Sequence, residues 1–269
     1  MNIGIVSLGL IGGSILKSLS QTDNTLSAFT RNKDTIEKAK AYTPNVSDNF
    51  EILSHCDIVF AAPPIHKTLE TLDRLEGIVK PECIVLDCAS VKEFVMQKKR
   101  PYKFIGSHPM AGTEFSGFDA SFKDLFKNTK WVLTPSEEVN LKDIETAESI
   151  IKMTGAEIIV TSAKEHDEAA ALISHMPVII AQSLFYSAAD NKLALKLASS
   201  GFRDMTRIAA ANLEMSEDMK LYNQKNIDKA LDKLIKSINF LKNTKDLKIL
   251  SDIKNTRSGM YSNEGKNIF

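Results

Sequence analysis

Short apolar runs rich in β-branched residues alternate with amphipathic stretches through the first half of the chain. The runs at 2–7, 25–30, 57–61, 83–87, 103–107, 130–134 and 157–161 predict strands. Between them, apolar residues at helix-like spacing predict helices over 11–20, 33–41, 67–75 and 141–154. Strands alternating with helices imply βαβ units and a mostly parallel, doubly wound sheet of the Rossmann type. After Ser162 the strand pattern ends. Ser162 and Glu165 have the spacing of a capping box opening a helix. Helical patterns follow over 163–174, 177–189, 192–199 and 218–242, with Pro177 expected to kink or restart a helix. The stretch 243–269 is polar and is expected to be loosely ordered beyond Lys254. The expected organisation is α/β: a doubly wound dinucleotide-binding domain over 1–162, then an all-helical substrate and dimerisation domain over 163–269.

Composition narrows the class. The 269 residues contain 34 Lys+Arg and 34 Asp+Glu, so the formal net charge is zero. That balance provides no general attraction to nucleic acid or anionic membranes. The cysteines Cys56, Cys83 and Cys88 lack CxxC spacing, and no metal site is expected. The N-terminal apolar run is short, ends in glycines and has no basic leader, so it predicts a strand and turn. No other stretch approaches the roughly 18 uninterrupted apolar residues of a membrane span. A cytoplasmic enzyme is the expectation.

The first strand runs into Ser7-Leu-Gly9-Leu10-Ile11-Gly12, a G-x-G-x-x-G pattern with serine in its first place. Gly9 would let a pyrophosphate approach the backbone, and Gly12 would let helix and strand pack closely. The helix opening at Leu10 and Ile11 would face the phosphates. The second strand ends at Thr30-Arg31-Asn32, without the acid that usually holds a ribose hydroxyl. Arg31 suits a 2′-phosphate, with Thr30 adding a hydroxyl, so NADP is expected over NAD. The plainer alternative is a solvated turn arginine.

His108, in Ile105-Gly-Ser-His108-Pro-Met-Ala-Gly-Thr113-Glu114, follows a strand where open α/β sheets place ligands. Ser90, in Asp87-Cys-Ala-Ser90-Val-Lys92, ends a neighbouring strand and could reach the same crevice. Histidine suits proton transfer near neutral pH. On chemistry alone, a structural histidine bonded to backbone is an equal reading. His166 and His175, nine residues apart, would point to opposite faces of one straight helix. Packing and substrate contact both stand for them. His55 and His66 fall in connecting segments and read as incidental.

The segments GLIGGS, ASVK, GSHPMAGTE, the HD pair at 166–167, SHMP and SSGFRDMTR occur here in the order of the prephenate/arogenate dehydrogenases. The chain resembles that family over about residues 1 to 225, and is most like its cyanobacterial-type arogenate dehydrogenases, which share SSGFRD and the Tyr222-Asn-Gln224 segment. The resemblance implies an oxidative decarboxylation linked to a nicotinamide cofactor, of arogenate with NADP or, alternatively, of prephenate with NAD or NADP. His108 would take the proton of the substrate's ring hydroxyl, and Ser90 would orient His108 and contact that hydroxyl. Arg207 would hold a substrate carboxylate, and Thr113 and Glu114 would line the pocket. Many prephenate-specific relatives carry a histidine directly after the proline of SHMP, where this chain has Val178, which favours arogenate over prephenate. The resemblance also implies a homodimer and a stand-alone catalytic chain. A hydroxyacid-type dehydrogenase would share the architecture but use a catalytic lysine. A non-catalytic NADP-binding sensor would bind cofactor without turnover.

Overall fold

The computed structural model describes residues 1–113 and 115–261 of the chain. Within them, eight strands form one sheet in the order β3-β2-β1-β4-β5-β6-β7-β8. They are β1 (Asn2–Val6), β2 (Thr25–Phe29), β3 (Asn45–Ser47), β4 (Ile58–Ala61), β5 (Ile84–Asp87), β6 (Lys103–Pro109), β7 (Lys130–Pro135) and β8 (Glu157–Val160). The helices α1 (Leu10–Leu19), α2 (Lys33–Ala39), α3 (Thr68–Leu75) and α4 (Leu141–Lys152) connect them. Neighbouring strands are parallel except β6 and β7, which run antiparallel. The short β3 has no counterpart among the expected strands, because Asn45-Val-Ser47 offers a single apolar residue.

Apolar runs form the central strands because helices cover both faces. Successive side chains alternate between two cores. Ile3, Ile5, Ile58, Phe60, Ile84 and Leu86 face one, with Leu16 and Trp131. Val6, Val59, Ala61, Val85 and Phe104 face the other, with Leu72. The chain leaves β1 outward to β2 and β3, then crosses back to β4. This reversal opens a crevice at the carboxyl ends of β1 and β4, the ligand position of open α/β sheets.

Beyond β8 the described residues are helical. Ser162 caps α5 (Ala163–Ala170) in the expected capping box with Glu165. A π-helical turn, Ala171–His175, then leads without interruption into α6 (Met176–Ala188). The kink or restart expected at Pro177 takes the form of this π turn, with regular α-helix resuming at Met176. Pro177 lies in the first turn of α6, and the wider π turn absorbs the local mismatch. The resulting run Ala163–Ala188 is 26 residues long, with a mean hydropathy of 1.4 in its most apolar window. Length and composition alone would let it cross a membrane, which corrects the expectation that no such segment exists. It nevertheless carries the buried polar residues His166, Asp167 and His175.

α7 (Lys192–Leu197), α8 (Ser200–Thr206), a 3₁₀ turn (Arg207–Ala210), α9 (Leu213–Asn243) and α10 (Leu247–Tyr261) complete the described chain. The helix at 247–261 corrects the expectation of loose order beyond Lys254 as far as residue 261; residues 262–269 lie outside the described residues. Leu247, Leu250 and Ile253 recur at helical spacing within a polar sequence that hides the signal. The chain forms two compact units, Met1–Ile227 and the part from Asp228 onward.

Candidate active site

The glycine turn at the end of β1 has the shape a dinucleotide needs. Ser7 adopts a left-handed backbone, φ 70°, and its N–H donates to Phe29 O at 3.0 Å, tying the turn to β2. A serine therefore holds the conformation for which glycine is the default. A Cβ on Gly12 would lie 2.0 Å from Ser7 O, so only glycine permits this approach of helix to strand. A Cβ on Gly9 would meet nothing within 4 Å. Gly9 thus presents bare backbone to open space at the N-terminus of α1, where unpaired N–H groups favour an anion. Leu10 and Ile11, partly buried, pack α1 onto the core beneath. These residues fit the pyrophosphate of a nicotinamide dinucleotide.

At the adjacent strand end, Thr30 is buried and Arg31 is exposed. Asn32 Oδ1 accepts from Thr35 N at 3.0 Å and caps α2. Its side-chain oxygen is thus already engaged, while Arg31 forms no ion pair among the described residues.

His108 lies near the end of β6, paired with Val132 of β7. Its ring is buried, and its Nδ1 lies 2.9 Å from Nε2 of His166. His166 Nδ1 in turn lies 2.7 Å from Asp167 Oδ1. The Asp167 carboxylate accepts backbone N–H groups from Lys92 at 2.7 Å and Glu93 at 2.8 Å. The loop after β5 is thereby bound to α5. Asn223 Nδ2 donates to Asp167 O at 2.9 Å and lies 3.1 Å from His175 Nδ1. Asn223 reaches both groups from a non-helical position in α9, φ −127° and ψ 19°.

Beneath this network, the fully buried Lys92 ammonium pairs with Asp87 and donates to Ser107 O at 2.7 Å. Asp87 also accepts from Ser107 N and Ala89 N, each at 2.9 Å. The buried charges are therefore paired and hydrogen-bonded, as a low-dielectric interior requires. Burial holds the His108 imidazole well below the usual histidine range, reinforced by His166, Lys92 and His175. His175 is held down to about 4, chiefly by burial, with Asp167 acting in the opposite direction. Both rings are neutral at neutral pH.

Several expectations change here. His108 is partnered by His166, not Ser90. Asp167 draws the loop after β5 against α5 and brings His166 to the His108 ring, while Ser90 Oγ is buried without a hydrogen-bond partner. His166 and His175 join one network despite their spacing, because the π turn between them shifts the helical phase. His66 is not incidental. Its N–H donates to Asp218 Oδ2 at 3.1 Å and its Nδ1 lies 3.0 Å from the same oxygen, tying the turn after β4 to α9. Arg207 is exposed on the 3₁₀ turn and makes no hydrogen bond or ion pair among the described residues. Thr113 is exposed, its Oγ1 accepting from Phe115 N at 3.2 Å, and Glu114 lies outside the described residues. Arg203 forms an exposed pair with Asp204 at 3.4 Å. The roles of Lys92, Asp167 and Asn223 escape sequence reasoning. All three lie in segments that carry the family resemblance (ASVK, the HD pair and Tyr222-Asn-Gln224), but their roles depend on contacts distant in sequence.

Comparisons with known proteins bear on what this arrangement does. A family model described as prephenate dehydrogenase, nucleotide-binding domain, matches residues 17–160. A second, prephenate dehydrogenase, dimerization domain, matches 162–248. Prephenate dehydrogenase of Bacillus subtilis is 30% identical over 249 residues, which cover 87% of this chain and 67% of that one. The crystal structure of Synechocystis arogenate dehydrogenase superposes with a TM-score of 0.82 at 33% identity, covering 97% of this chain and 100% of that one. Prephenate dehydrogenase from A. aeolicus, solved with hydroxyphenyl propionate and NAD+, gives a TM-score of 0.86 at 28% identity, covering 97% and 98%.

Proposed function

Because this chain belongs to the prephenate dehydrogenase family, we propose that it oxidatively decarboxylates L-arogenate to L-tyrosine with NADP. One observation carries the reading: a buried, neutral histidine, His108, ends a strand on the same sheet edge as a glycine turn shaped for a dinucleotide. A bound nicotinamide ring supplies the hydride-accepting carbon. The chain must bind and orient the substrate and remove the hydroxyl proton as the ring carbon becomes a carbonyl. A neutral imidazole is the form that can accept that proton. His108 Nε2 has no partner among the described residues and is the atom assigned to this task. Ser90 Oγ, buried without a partner, meets the same hydroxyl. Arg207, with no acid paired to it among the described residues, takes a carboxylate of the substrate, and Thr113 and Glu114 border it. Loss of the ring carboxyl as carbon dioxide leaves an aromatic phenol, which makes the step irreversible.

Arg31 and the lack of an acid at the end of β2 support NADP over NAD. Arogenate over prephenate rests on Val178, which is buried and apolar beside His175. A histidine there would offer a polar contact to the substrate side chain. Oxidation of prephenate by the same residues is the second reading, favoured by the likeness to the Bacillus and Aquifex enzymes. The reading includes a cytoplasmic homodimer with a domain division at 162. The separate dimerization-domain match and exposed apolar residues such as Ile173, Phe185 and Leu197 support it.

His108→Asn removes the base while keeping a polar side chain of similar reach. Turnover should fall by about 10²–10⁴-fold, with cofactor affinity, read by fluorescence titration, changed less than about threefold. Near-normal turnover overturns the assignment.

A further inference from the structure

The helical segment contributes a dyad to the base, and its hydrogen bonds determine which nitrogen of His108 is free. Asp167 is buried, and its two carboxylate oxygens accept N–H groups from Lys92 and Glu93. It acts toward His166 as an acceptor too, so His166 Nδ1, 2.7 Å away, carries the hydrogen. With its hydrogen on Nδ1, the His166 ring presents a lone pair at Nε2. His108 Nδ1, 2.9 Å from that lone pair, must donate. The lone pair of His108 is left on Nε2, the atom without a partner among the described residues. The rings meet edge to face, with centroids 5.1 Å apart and planes at 75°.

From this geometry we infer that His166 and Asp167 form a relay that fixes the tautomer of His108 and takes over the positive charge when His108 accepts the substrate's proton. The inference rests on the proposed function and adds two positioning residues to it. The steps balance. The substrate O–H breaks as a bond forms from hydrogen to His108 Nε2. The His108 Nδ1–H breaks as a bond forms from hydrogen to His166 Nε2. One positive charge ends on His166, beside the Asp167 carboxylate, and nothing within the relay changes oxidation state. The proton leaves by the reverse path once product has gone. Two observations show that the dyad is held for this task. Both oxygens of Asp167 are tethered to the loop that carries Ser90, and Asn223 breaks the regularity of α9 to hold the backbone of Asp167. Without the relay, an imidazolium at His108 would face burial and the Lys92 charge with no anion in contact among the described residues.

The test joins a spectroscopic and a kinetic readout. Nitrogen-15 NMR of histidine-labelled, cofactor-free enzyme at neutral pH should show His108 protonated at Nδ1 and bare at Nε2. His166→Gln can still accept the His108 Nδ1–H through its amide oxygen, but it cannot carry a proton onward. It should keep the tautomer and the KM within about threefold while kcat falls about 100-fold. His166→Phe should lose the fixed tautomer as well. A wild-type His108 protonated at Nε2 overturns the inference without any variant, so a misfolded variant leaves the test in force. Full kcat in His166→Gln also overturns it while the proposed function stands. No turnover by wild-type enzyme on arogenate or prephenate removes the proposed function and the relay with it; the wild-type rate distinguishes the two failures.

Discussion

The two glycines of the β1 turn show how the same residue type serves opposite needs. At Gly12 the side chain is excluded by the protein itself, because Ser7 O occupies its place. At Gly9 the space is open. Gly12→Ala should therefore destabilise the fold by about 1–3 kcal/mol, the usual cost of overpacking. Gly9→Ala should leave stability nearly unchanged yet weaken binding of the nicotinamide cofactor at least tenfold, because the added methyl enters the space proposed for its phosphates. Thermal denaturation and cofactor titration of the two variants check this, and equal stability losses would contradict it. Ser7 belongs to the same turn. A non-glycine residue in the left-handed region costs roughly 1–2 kcal/mol, and the Ser7–Phe29 hydrogen bond is what offsets it here. The glycine pattern and the opposite needs of Gly9 and Gly12 were legible in the sequence, whereas the left-handed backbone of Ser7 was not.

At the scale of elements, the long helical run 163–188 carries the most consequence. Its π turn brings His175 into a buried site where it is held to about 4, against about 6.5 for a free histidine. Between those values the unfolded chain binds a proton that the folded chain refuses. Stability is therefore greatest above about pH 6.5 and falls as pH drops through this window. For His175 alone the loss by pH 4 is on the order of 3 kcal/mol, and His108 acts in the same direction. Urea midpoints measured from pH 7.5 down to 4.5 should decline steadily, and His175→Gln should flatten the curve. A midpoint constant over that range would contradict the burial argument. The same run shows where reading a sequence by period fails. Strands β1, β2 and β4 to β8 could be read because each is a run of at least four residues rich in apolar or β-branched side chains. A π turn has no such signature, and it shifts the phase of His175 relative to His166, while Asn223 links His175 to Asp167. Likewise, the Asn223 kink depends on partners more than 45 positions away in the chain.

For the whole molecule, sheet order and site belong together. The reversal at β1 collects the ends of β1, β2, β4, β5 and β6 on one edge, so residues as distant in sequence as Gly9, Arg31, Ser90 and His108 share it. That much follows from alternating strands and helices plus the handedness of βαβ units. The helical partner of the base does not, since it depends on how α5 docks through Asp167. The central claim is a chemical one: this edge oxidises and decarboxylates a cyclohexadienyl substrate. Initial rates of nicotinamide reduction, with arogenate and prephenate each tested against NADP and NAD, address it most directly. The account predicts rapid reduction with arogenate and NADP and much slower rates in the other three combinations. Fast turnover of prephenate with NAD would contradict the readings of Val178 and Arg31, and no reduction in any combination, despite NADP binding, would contradict the account itself.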